Sequence, residues 1–226
     1  MSLLRAGWII ARKDLVVEVR SRELAYTTLF FAVACVLVFA FAFVREGRAL
    51  DDAAAGILWV SIAFSGTLAL GRAFERERQN ETLKALLLAP TERPAVYLGK
   101  LAGLLLLMIC VELVVVPVVG LLFAAPIFRA PFLLAGLLGA GTLGFAGVGT
   151  LFAAMLVRAH SRDVLLPILL YPITVPVIIA GVRGTAAIFA ADPNFDAAWS
   201  WLSMLIFFDA VFVTLAFWTF GPVMSE

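Results

Sequence analysis

Six stretches of the chain are almost uninterrupted in apolar side chains. Residues 24–44, 53–71, 132–157 and 164–182 carry no charge, 101–123 carries one (Glu112) and 200–221 carries one (Asp209). A helix needs about 20 apolar residues to cross a bilayer's hydrocarbon core. Barrel strands would alternate apolar and polar side chains, which these runs do not. Helices also satisfy their own backbone groups where no water can. The pattern predicts an all-α integral membrane protein in which residues 1–226 form a single domain with six transmembrane helices.

Residues 3–22 are too charged to span. Leu4, Trp8, Ala11, Leu15 and Val19 nevertheless step along one helical face. They predict an amphipathic helix lying on the inner leaflet ahead of the first span, against the alternative of a frayed leader. Arg5, Arg12, Lys13 and Asp14 interrupt the start too often for a cleavable signal peptide, so insertion is expected to rely on the first long apolar segment, with no extra soluble domain at either end.

Composition agrees. The chain is 63% hydrophobic and 15% charged, with a mean hydropathy of +1.05, whereas soluble domains run at about 45–50% and about 25%. A net charge of +1 without a long basic run argues against nucleic acid as a partner. Cys35 and Cys110 sit inside apolar runs, where they act as small hydrophobes. Of the 17 Lys and Arg residues, 13 fall on the side of the N-terminal segment, residues 72–100 and residues 158–163, against four (Arg45, Arg48, Arg129 and Arg183) on the other. That bias places both termini and the 72–100 loop in the cytoplasm.

In that loop, Asn80 is suited to cap a short helix over 81–89, Glu81 complements its dipole and Pro90 ends it. Leu83, Leu86 and Leu87 would lie along one side. Such a helix could dock into a cytoplasmic partner or lie on lipid, and the residues alone leave both open. The chain has no G-x-x-x-x-G-K-[ST] phosphate loop, because Gly99-Lys100 is followed by Leu101. The lone histidine, His160, reads as a solvated loop residue, and no cluster has metal-ligand spacing. No catalytic set or metal site is expected, and the chain is not expected to be an enzyme.

Glu112 and Asp209 lie near the middle of their spans, where a charge costs roughly 2.5–3.5 kcal/mol or more. They would line a polar pathway or fix helix packing. Gly136, Ala140 and Gly144 step by four and would let helices approach closely. Pro167, Pro172 and Pro176 each remove a hydrogen bond from the fifth span and tend to kink it.

Three stretches carry a resemblance. One runs from Gly56-Ile-Leu-Trp-Val-Ser through Glu81-Thr-Leu-Lys-Ala-Leu-Leu-Leu-Ala-Pro to Ala95-Val-Tyr-Leu-Gly-Lys. The second is Gly141-Thr-Leu-Gly-Phe-Ala-Gly-Val-Gly-Thr, and the third is Leu165-Leu-Pro-Ile-Leu-Leu-Tyr-Pro-Ile-Thr-Val-Pro-Val-Ile-Ile-Ala. With the length and six-span layout, these resemble the haem exporter protein B (CcmB) family, the membrane subunit of the ABC system for cytochrome c maturation. Gly71 departs from the acidic residue expected there.

The resemblance implies an ABC-exporter-type permease in a bacterial inner membrane. It would pair with a separate cytoplasmic ABC ATPase subunit that holds ATP and Mg, likewise in two copies, so that this chain is a homodimer within the complex. It would also meet a haem-handling membrane subunit and a small single-span subunit. ATP hydrolysis would then be coupled to haem export or to release of a haem-loaded chaperone, with haem as a possible cargo. A non-transporting scaffold for the haem-handling complex is the alternative. The 81–89 segment becomes a coupling helix, with Leu83, Leu86 and Leu87 as its apolar face and Glu77, Glu81 and Lys84 as its polar contacts.

Overall fold

A computed structural model of the chain describes residues 3–43, 53–79, 93–159 and 161–223. The described residues are helical throughout, apart from short connections. In chain order the helices are α1 (Leu3–Ser21), α2 (Glu23–Phe43), α3 (Ala53–Gln79), α4 (Arg93–Leu122), α5 (Pro131–Met155), α6 (Arg162–Phe189) and α7 (Phe195–Val223), with a single 3-10 turn at Leu156–Arg158. Six of them, α2 to α7, are long and apolar enough to cross a bilayer. The protein is a multi-pass, all-α integral membrane protein.

The helices outrun the charge-free stretches that betray them. Helix α3 continues through Arg72 to Gln79, and α4 already begins at Arg93, so the stretch 72–100 is helical at both ends. Charge bars a residue from hydrocarbon but not from a helix that has left it. The 81–89 segment, with Glu81, Leu83, Lys84, Leu86 and Leu87, lies outside the described residues, as does His160. Glu77 falls in the last turns of α3. Helix α6 stays helical through Pro167, Pro172 and Pro176, and α4 does so through Pro117.

Local signals set the ends. Pro131 opens α5, where a missing N–H costs nothing. Asn194 caps α7, its side-chain oxygen accepting from the Ala197 amide at 2.9 Å. Between α1 and α2 the chain turns at Arg22, which has a positive φ of 54°. Glu18 bridges that corner by accepting from the Ala25 amide at 2.7 Å.

Helix α5 is the central element. It packs against α6 and α7 most extensively and also against α3 and α4, while α2 leans on α3 and α4. Helix α1 docks on α4. Its buried residues are Ala6, Gly7, Ile10 and Ala11, while Trp8 and Val19 point outward at 62% and 66% exposure. The apolar stripe read from the sequence is therefore divided, with Ala11 buried and Trp8 and Val19 outside, and the protein-facing side is made by Ala6, Gly7, Ile10 and Ala11.

Candidate functional site

Residues from four helices, α1, α3, α4 and α6, meet in a buried charged cluster. Lys100, in the second turn of α4, is 7% exposed and pairs with Asp14 of α1 at 2.8 Å. Asp14 also receives Lys13 at 3.1 Å. Arg162 opens α6 and is 2% exposed. Its guanidinium donates to the carbonyls of Leu70 at 3.2 Å and Gly71 at 2.7 Å on α3. Between the two cations lies Phe74, with the Lys100 ammonium and the Arg162 guanidinium each 5.9 Å from its ring centroid. An aromatic face attracts a cation electrostatically, more strongly once both are withdrawn from water. Buried cations also demand partners, which is why Asp14 and the α3 carbonyls converge here. Nearby, Arg93 at the start of α4 donates to the Gly221 carbonyl near the end of α7 at 2.9 Å.

The cluster brackets residues 80–92. Phe74 stands five residues before the end of α3, and Lys100 seven residues after the start of α4. The two helices that enter and leave that segment are thus tied to α1 and α6 at their roots.

Deeper in the bundle, Glu112 and Asp209 approach α5 separately. Glu112 of α4 accepts a hydrogen bond from the Thr142 hydroxyl. Asp209 of α7 lies against Gly144, with Phe208 beside it. Its Oδ1 is buried with no hydrogen-bond partner among the described residues. Thr142 and Gly144 are two residues apart, about 200° around a helix, so the acids reach nearly opposite sides of α5. Gly136 faces Leu202 of α7, and Ala140 is partly buried against the core.

The family model described as "CcmB protein" matches residues 5–224. The chain belongs to the CcmB family. Among similar proteins, "Heme exporter protein B" of Escherichia coli (strain K12) is 38% identical over 94 residues, which is 41% of this chain and 42% of that protein. The protein of the same name from Shigella flexneri gives the same figures. The matched stretch therefore covers less than half the length of these relatives. "Heme exporter protein B" of Bradyrhizobium diazoefficiens is 26% identical over 196 residues, 87% of this chain and 88% of that protein.

In this CcmB-family chain the structure adds groups that sequence reasoning passed over. Arg162 entered it only as a charge that orients the chain, and Lys100 as such a charge and within the Gly99-Lys100-Leu101 and Ala95–Lys100 stretches. Position did not single them out, because most of the chain's cations lie equally near a long apolar run. Trp59 of α3 donates its indole N–H to the Thr185 hydroxyl of α6 at 2.9 Å, and the Tyr97 hydroxyl donates to the Gly147 carbonyl at 3.1 Å. Neither pair has a local spacing to announce it.

Proposed function

We propose that this chain is the membrane subunit of an ABC transporter complex for cytochrome c maturation. Conformational work reaches it from a separate cytoplasmic ATPase subunit and is coupled to haem export or to release of a haem-loaded chaperone. The family match over residues 5–224, with relatives named "Heme exporter protein B", is the observation that carries this reading. The sequence contains no phosphate loop of its own. On this reading the chain is not itself an enzyme, and ATP and Mg belong to the partner.

The protein sits in a bacterial inner membrane with both termini cytoplasmic, as the placement of its Lys and Arg residues supports. It works as a homodimer beside a haem-handling subunit and a small single-span subunit. Residues 81–89 dock into the ATPase through Leu83, Leu86 and Leu87, with Glu77, Glu81 and Lys84 as polar contacts. A push on that segment would act first on Phe74 and Lys100, and through Asp14 and Arg162 on α1 and α6.

The deciding experiment is a pull-down of the chain from solubilised native membrane, with mass spectrometry and an ATPase assay on the eluate. Recovery of an ATP-binding subunit with haem-handling proteins supports the reading. A chain that returns alone, without ATPase activity and without crosslinks from a probe at Leu86, would remove the coupling role.

A further inference from the structure

A cavity of about 580 Å3 opens between α2, α3 and α6. Its chemistry changes with depth. At the mouth stand Arg72 and Asp163, with Glu23 paired to Arg72 at 3.9 Å; Arg162 also lines the cavity, but it is 2% exposed and its guanidinium is engaged by the Leu70 and Gly71 carbonyls. Beneath the mouth the Thr67 and Tyr171 hydroxyls meet at 3.2 Å. Further in, the wall is aromatic, with Phe31 and Phe64 partly open at 39% and 44% exposure and the Phe64 and Tyr171 rings edge to face. Phe31 lies eight residues into α2 and Tyr171 nine residues into α6, about 12–14 Å along their helices at 1.5 Å per residue. That depth is close to one leaflet of hydrocarbon, about half of the 30 Å core.

Charged, then hydroxylic, then aromatic is the polarity order of a lipid from headgroup through ester to acyl chain. The mouth carries both signs. A purely anionic headgroup would meet Arg72 but also the Asp163 and Glu23 carboxylates. A headgroup with a phosphate and a primary ammonium satisfies all three. A free anion would leave the aromatic wall unused. We propose that this cavity holds one phospholipid of the cytoplasmic leaflet, of phosphatidylethanolamine chemistry. Its phosphate lies at Arg72, its ammonium at Asp163 and Glu23, and an acyl chain runs along Phe31, Phe64 and Tyr171. The volume lies within the range of small-molecule sites, roughly 300–1,000 Å3, so the headgroup and the upper part of one chain fit there while the rest of the lipid lies in the bilayer.

The test uses the full chain in nanodiscs of dioleoyl phosphatidylcholine containing equal small amounts of dioleoyl phosphatidylethanolamine and phosphatidylglycerol. After detergent extraction, native mass spectrometry reads the lipid retained. Phosphatidylethanolamine should be retained at least five-fold over either competitor. Arg72→Gln should lower that retention at least five-fold, Asp163→Asn should erase the preference over phosphatidylglycerol, and Leu68→Trp should block the cavity. Both polar variants change exposed side chains, and Asp163→Asn is isosteric, so they keep the test decisive if the tryptophan variant misfolds. Equal retention of the three lipids, or retention unchanged in both polar variants, would overturn the assignment. So would co-purified haem absorbance that Leu68→Trp abolishes, or a lipid-free dimer crosslinked through Phe64→Cys.

Discussion

Trp59 is the largest of the fully buried side chains among the described residues, and two glycines make room for it. A Cβ added at Gly141 of α5 or Gly181 of α6 would strike its ring. The indole also ties α3 to α6 through Thr185. Losing that bond leaves a hydroxyl buried without its partner, at a cost of about 1–3 kcal/mol. Trp59→Phe and Thr185→Val should each lower the thermal midpoint in detergent, and the double variant should fall little below the worse single one. Fully additive losses would show that the two side chains act independently. Ala124, with a φ of 49°, holds the left-handed conformation that costs an L-residue roughly 1–2 kcal/mol. Ala124→Gly should therefore raise the midpoint by a few degrees, and a lowered midpoint would mean that the alanine methyl contributes more by packing. At this scale Glu112, Asp209 and the Gly136 series were legible as exceptions within apolar runs. Trp59 was not, because nothing local distinguishes a core tryptophan from a lipid-facing one.

Helix α1 shows what an element's periodicity leaves open. Of its apolar stripe, Trp8 and Val19 stay on the outside while Ala11 is buried, and its contact with α4 leaves no room for a side chain at Gly99. A Cβ at Gly99 would fall 2.7 Å from the Ile10 Cβ and 2.8 Å from the Gly7 carbonyl oxygen. Backbone cannot yield as a flexible side-chain tip can. Gly99→Val should lever α1 away, and trypsin should then cut at Arg12 and Lys13 several-fold faster than in the parent protein. Unchanged cleavage would mean that the Asp14–Lys100 pair alone holds the helix. Amphipathic patterns report which face prefers an apolar surrounding. In a membrane that surrounding is supplied equally by lipid and by protein, so the pattern gives the helix and not its neighbour.

At the scale of the whole molecule, orientation and coupling can be tested together. Thirteen of the 17 cations lie on one side, so a fluorescent protein fused after Glu226 should fold and fluoresce, and a periplasm-dependent phosphatase there should stay inactive. The reverse result would invert the topology. Leu86→Asp and Leu87→Asp should uncouple the ATPase while leaving membrane insertion intact. Wild-type ATP turnover and co-purification in those variants would remove the docking role of the segment.

The sequence by itself determined the all-α class, the six spans, and the uneven distribution of charge along the chain. Each follows from the cost of placing polar groups in hydrocarbon, which acts on every residue in turn and so leaves a mark at every position. The tertiary structure alone decided which helices touch: α5 at the centre, α1 on α4, and Asp14, Lys100, Phe74 and Arg162 gathered from four helices into one cluster. Lipid and protein interior are alike to an apolar side chain, so hydropathy is silent on helix neighbours. Steric fit between small and large residues distant in the chain selects them.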